Sequence, residues 1–405
     1  METEALATAI ATGDRRALAR AITLVESARA DHRALATELL ARLGAPTGGG
    51  VTGSAAPGSR TASGTAAQNT AGQGAKTDDM TGSDAGPRNA ATPDTAAPGT
   101  AVPSADRQDA TTGPAEARTT SPPGRQALRI GLTGAPGVGK SSFIEALGLY
   151  LTGRGMTVAV LAVDPSSQRS GGSLLGDKTR MEGLSRDPRA FVRPTPSGAG
   201  TGGVARRSRE VVTLCEAAGF DVILLETVGT GQSETMAAGM VDVLVLLIAP
   251  GGGDDLQGVK RGIMEHADLI LVTKADGDLH AQARATRADY AAALRLLRPR
   301  KSDPPGFPRA ITVSARDSTD IDKAWQAITT IADWRRDQGV MAATRAGQAR
   351  AAFREEVTAL LLARLMADPA LAERMAALEG EVASGRITPA SAALQAVIPE
   401  TGDGT

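Results

Sequence analysis

One cysteine, Cys215, is all that the 405 residues contain, so no internal disulfide can form and the thiol usage fits a reducing compartment. Histidine is nearly as scarce. His32, His266 and His280 are scattered, and with a single cysteine they offer no transition-metal ligand cluster. A surplus of charge is missing too. The formal net charge is −1, which lacks the basic footprint of a nucleic-acid binder. No apolar run reaches the roughly 20 residues that span a bilayer. The N-terminus carries Glu2 and Glu4 instead of an apolar signal core. These absences predict a soluble, cytoplasmic protein with neither a membrane nor a nucleic-acid partner. The length allows two or three domains.

A further absence divides the chain. Residues 45–125 contain no Leu, Ile, Phe, Tyr or Trp and are rich in Ala, Gly, Thr, Ser, Pro and Asp. Such a stretch cannot bury enough apolar area to offset its ordering entropy, so it reads as a disordered low-complexity linker. Before it, residues 1–44 read as helices. Leu18, Ile22 and Val25 share one face, Leu35, Leu39 and Leu43 another, and Asp14 is placed to cap the second helix.

After the linker, apolar runs recur at 128–132, 157–163, 221–225, 241–249, 268–272 and 309–313, mostly with helical stretches between. The run Val241–Ala249 is apolar on both faces save for Asp242, which suits a buried parallel strand. Strands alternating with helices imply a doubly wound, mostly parallel α/β sheet, with ligands at the carboxyl ends of its strands. That domain spans 126–337. From 338 to 400 the pattern is helical. Phe353, Val357, Leu360, Leu361 and Leu365 form one stripe, and Leu371, Met375, Leu378 and Val382 another. Thr388-Pro389 reads as a cap and first-turn proline. These apolar faces have two open placements: back on the domain, or against a second subunit.

The first run leads into Gly134-Ala135-Pro136-Gly137-Val138-Gly139-Lys140-Ser141, then Ser142 and a helix to Leu151. Strand, G-x-x-x-x-G-K-[ST] loop and helix together make a phosphate-binding loop. Backbone N–H groups and the helix N-terminus face the phosphates, Lys140 reaches the β- and γ-phosphates, and the Ser141 hydroxyl suits Mg²⁺. Thr273-Lys274-Ala275-Asp276 follows a later strand and resembles the [NT]-K-x-D element. A carboxylate at 276 can accept both N1–H and N2–H of guanine, and adenine has no such donor pair. Thr273 stands where many GTPases have Asn, which weakens the argument that this position braces the loop. Ser314-Ala315-Arg316 resembles the second base-contacting loop. Glu226-Thr227-Val228-Gly229 resembles the D-x-x-G switch, with Glu226 on the metal side and the Gly229 N–H facing the γ-phosphate. Asp164 and Asp177 reach the same rim. Read alone, Glu226 also suits a solvent-facing strand end, Asp164 a helix cap and Asp177 a plain loop.

Several longer strings go further. They are Val163–Ser167, Gly176–Met181, Gly203-Val204-Ala205-Arg206, Glu226–Gly229 with Gly231–Glu234, and Leu256–Gly262. Together they resemble the MeaB family, G-protein chaperones of adenosylcobalamin-dependent methylmalonyl-CoA mutase that include the human methylmalonic aciduria type A protein. The likeness covers 1–44 and 126–400 and skips the linker, an insertion outside the usual pattern. It implies a SIMIBI-class P-loop GTPase working as a homodimer with GTP or GDP and Mg²⁺. It implies partnership with an acyl-CoA mutase and with the adenosyltransferase that supplies its cobalamin. By motif match the Mg²⁺-side residues are Ser141, Asp164, Asp177 and Glu226. The stretch Ala249–Arg261 matches an additional switch, in which Lys260 either pairs with a site carboxylate or is a solvated helix cation. Thr230 stands where the family commonly has Val. Two rivals use the same fold: a metal-delivery GTPase, which needs clustered His or Cys, and a metabolite kinase, which needs a base for its substrate.

Overall fold

The computed structural model describes residues 2–27, 29–44, 126–164, 181–196, 201–227, 236–251, 261–298 and 300–398. The linker at 45–125 lies outside them. So do Asp177, Gly229, Thr230 and Lys260.

Seven strands form one sheet: β1 (Leu128–Thr133), β2 (Val158–Asp164), β3 (Ala190–Pro196), β4 (Val222–Thr227), β5 (Val243–Ile248), β6 (Leu269–Val272) and β7 (Arg309–Thr312). Their order is β3-β2-β4-β1-β5-β6-β7. Every neighbouring pair is parallel, with Leu128 opposite Val222 and Ile130 opposite Val243. Strands β4, β5 and β6 are buried along their whole length, as covering both faces with helices requires. The doubly wound parallel reading therefore holds.

Six of the strands lie on the six apolar runs. The seventh, β3, was not legible. Its sequence Ala-Phe-Val-Arg-Pro-Thr-Pro carries two prolines, which have no N–H to give a ladder. It is tolerated because β3 is the edge strand and bonds only to β2. Asp242 also proves not to interrupt a strand. It sits just before β5, where its carboxylate accepts the Arg129 N–H at 2.9 Å and pins the start of β1.

One face is packed by α4 (Lys140–Thr152) and α9 (Ile321–Asp337). Phe143, Ile144, Leu147 and Leu151 meet Ile328 and Ile331 in a core under the strands. The other face is packed by α6 (Thr201–Ala217) and, over it, by the N-terminal helices α1 (Glu2–Ala11), α2 (Arg15–Glu26) and α3 (Ala30–Gly44). Leu18, Ile22 and Val25 are buried there with Val211 and Leu214, so the predicted stripe has its partner. Asp14 caps α2 by accepting the N–H groups of Arg16 and Ala17. Near β7 the same layer continues in α7 (Arg261–His266) and α8 (His280–Leu294), with Met264, Tyr290 and Leu294 inward. The short α5 (Glu182–Arg186) leads into β3. Cys215 is buried in the second core, and burial pushes its thiol pKa up.

The C-terminal helices are α10 (Val340–Met366), α11 (Pro369–Ala383) and α12 (Pro389–Val397). Thr388 caps α12 by accepting the Ser391 N–H. The root of α10 is tied to the floor of the sheet. Arg345 donates to both Asp242 oxygens, at 2.7 and 2.5 Å, and to the Ala127 carbonyl at 2.6 Å. Burial alone would lower the Arg345 pKa, but the Asp242 carboxylate beside it raises it. A second buried arginine, Arg335 on α9, holds Asp268 and Asp303 at 2.6 and 2.9 Å. Further along α10, Glu356 pairs with Arg206 at 2.9 Å, and Glu355 pairs with Arg209. Over the same stretch and beyond it the helix presents Phe353, Val357, Leu360, Leu361 and Leu365 to solvent. Among the described residues no helix is long and apolar enough to cross a membrane.

Candidate functional site

The site forms where β1, the central strand, ends. Gly134 turns the chain out of β1 with φ +151°, and a Cβ there would lie 2.3 Å from the Leu247 carbonyl oxygen. Only glycine fits, so the loop lies against β5. The loop from Ala135 to Gly139 then leads into α4, whose first residue is Lys140. Lys140 is 8 % exposed, and its Nζ donates to the Gly134 and Ala135 carbonyls at 2.9 and 3.0 Å. The ammonium is thereby held in the mouth of the loop, beside the free end of the helix dipole.

One residue on, the Ser141 hydroxyl donates to Glu226 Oε1 at 3.0 Å. Ser141 lies in the first turn of α4 and Glu226 near the end of β4, so the β1–β4 pairing brings them together. Hydroxyl and carboxylate are hard oxygen donors, the set that suits Mg²⁺. Asp164 ends β2, the strand beside β4, two places beyond Ala162, which stands opposite Glu226.

The guanine-type loop leaves β6 on the other side of β5. Lys274 adopts a left-handed backbone, φ +53°, and its Nζ donates to the Gly137 carbonyl at 2.8 Å. The Thr273 hydroxyl lies 2.5 Å from the Val138 carbonyl and 3.1 Å from that of Ile248. Thr273 thus does brace the phosphate loop, against the weaker expectation from its lack of an amide. Sequence missed this because the partner carbonyl lies two strands away. Asp276 is aimed by Ser314, whose hydroxyl donates to Asp276 Oδ2 at 2.6 Å. The 314–319 loop closes on itself through Ser314 and Thr319, which exchange backbone bonds of 3.1 and 3.0 Å. It presents Ala315 and Arg316 to an open cavity of about 800 Å³, whose other wall carries Ser142, Glu145 and Tyr150 of α4.

Phosphate loop, Ser141–Glu226 pair, Thr273–Asp276 and Ser314–Arg316 therefore converge at the carboxyl ends of β1, β4, β6 and β7. The convergence of Asp177, Gly229 and Lys260 on them lies outside the described residues.

A parallel sheet with this loop after its central strand and a T-K-x-D loop across from it is a P-loop GTPase. Comparison with known proteins gives the family. The model of methylmalonyl Co-A mutase-associated GTPase MeaB matches residues 106–370, and the chain belongs to that family. The protein named methylmalonic aciduria type A homolog, mitochondrial, of Mus musculus is 47% identical over 66% of this chain and 64% of its own length. The chain thus matches just under two thirds of that relative. A relative from Caulobacter vibrioides is 39% identical over 99% of this chain and 98% of its own. Among solved structures, the crystal structure described as a LAO/AO transport system kinase is 30% identical, with a TM-score of 0.61, covering 97% of this chain and 96% of that one.

Proposed function

We propose that this GTPase is the chaperone of an adenosylcobalamin-dependent acyl-CoA mutase of the methylmalonyl-CoA type. GTP hydrolysis gates loading of the cofactor, delivered by an adenosyltransferase, and protects the mutase. The observation that carries the reading is the family match over residues 106–370, on a chain whose phosphate and base loops converge. In the proposal Asp276 reads guanine, while Ser314, Ala315 and Arg316 complete the base site. The loop Gly134–Ser142 holds the phosphates, and the Gly229 N–H faces the γ-phosphate. Ser141, Asp164, Asp177 and Glu226 would hold Mg²⁺, which when bound neutralises charge on the β- and γ-phosphates. Lys140 stabilises the transferred charge, and Lys260 belongs to a switch at 249–261 that answers to the mutase. The protein acts in the cytoplasm as a homodimer paired through the 338–400 arm, with 45–125 as a linker. Support for the pairing comes from the exposed stripe on α10, where Phe353 is 69 % and Leu361 62 % exposed.

A metabolite kinase is the second reading, favoured by the description of the crystal structure it resembles. Phosphate release from GTP, measured with and without a purified mutase, separates the two. The chaperone reading expects slow release alone and faster release with the mutase. Equal rates would sink it.

A further inference from the structure

On leaving β5 the chain passes Ala249 and Pro250 and reaches Gly251, where it meets the flank of α8. The Gly251 N–H donates to the Thr286 hydroxyl at 3.0 Å. Thr286 lies on the inner face of α8 and is 4 % exposed. Gly251 has φ +80°, and a Cβ there would lie 2.6 Å from Gln282 Nε2, one helical turn before Thr286. Residues four apart share a helix face, so Gln282 and Thr286 both border Gly251, whose positive φ is what favours glycine there.

This use of a threonine differs from that at several other described helical threonines. Helical threonines ordinarily turn the hydroxyl back to the carbonyl four residues earlier. Thr23, Thr213, Thr329 and Thr358 do so, to Ala19, Arg209, Trp325 and Arg354. Thr286 instead spends its oxygen on another element. The helix concerned is also the one that Asp276 leads into, through the turn Gly277–Leu279. One rigid rod thus carries the guanine-side loop at its head and grips Gly251 along its side.

We propose that Thr286 is a positioning residue for Gly251, the point at which the described chain leaves β5 for the segment 249–261, whose residues 252–260 lie outside the described residues. The inference rests on reading that segment as the mutase-responsive switch. No contact of the phosphate or base loops described above runs through Thr286. Its loss should therefore spare nucleotide binding and strike the response to the partner.

The test uses the full chain with Thr286→Val, which keeps shape but loses the acceptor, Thr286→Ser, which keeps it, and Gly251→Ala. GTP affinity is read by calorimetry, and hydrolysis with and without purified acyl-CoA mutase. Hydrogen exchange at the Gly251 amide is followed with GDP bound. For Thr286→Val, affinity and unstimulated kcat should stay within about twofold of wild type. Its mutase-stimulated kcat should fall about tenfold at unchanged KM, and Gly251 exchange should quicken about tenfold, the scale of one lost hydrogen bond. Thr286→Ser should restore both, and Gly251→Ala should repeat the loss. Stimulation of Thr286→Val to the wild-type level, or unchanged Gly251 exchange, would overturn the proposal. If the mutase stimulates no variant, wild type included, while Gly251 exchange still quickens in Thr286→Val, the positioning role stands and the mutase reading falls.

Discussion

At the scale of single residues, the site depends on side chains whose partners are backbone carbonyls of the phosphate loop. Lys140 holds Gly134 and Ala135, Lys274 holds Gly137, and Thr273 lies against Val138. Lys140→Ala should abolish GTP binding or turnover in calorimetry and phosphate release, since it removes the ammonium held against Gly134 and Ala135. Asp276→Asn should move preference from GTP toward xanthosine triphosphate in competition binding, because an amide presents a donor where guanine needs an acceptor. Ser314→Ala leaves Asp276 without the donor at 2.6 Å and should weaken GTP about tenfold, near the net worth of one charge-assisted bond. Much of this was legible, because Gly134–Ser141 and Thr273–Asp276 are contiguous strings whose spacing carries their geometry. The aim of Ser314 at Asp276 was not, since it depends on β6 and β7 lying side by side.

At the scale of elements, what the sequence hid was held by ionic or edge effects. Prolines disguised β3, which only an edge position permits. Nothing in the sequence pattern singles out Arg345, yet it anchors α10 to Asp242 beneath the sheet. Arg345→Met should cost about 3 kcal/mol in urea unfolding, because it strands a buried carboxylate. Asp242→Leu combined with Arg345→Met should recover part of that loss, since an apolar pair replaces the buried charges. Apolar periodicity fared better. The stripe of Leu18, Ile22 and Val25 pointed to a buried face, and α6 lies against it.

At the scale of the whole molecule, the arm has a fixed root and an apolar far face. Its two open placements are narrowed by the exposure of Phe353, Leu360 and Leu361 in the single chain. In the proposed homodimer, Leu361→Glu should shift sedimentation from dimer to monomer while leaving GTP affinity within about twofold, because a charge in an apolar seam opposes association. The strand order carries one more consequence. Strand β1 has only β4 and β5 as neighbours, and both are encoded far downstream of it. A nascent chain therefore exposes its phosphate-loop motif long before either flanking wall has been synthesised. Nucleotide in the cell can assist maturation only after residue 248 has cleared the ribosome, so truncated translation products should be targets for proteolysis whatever the GTP supply.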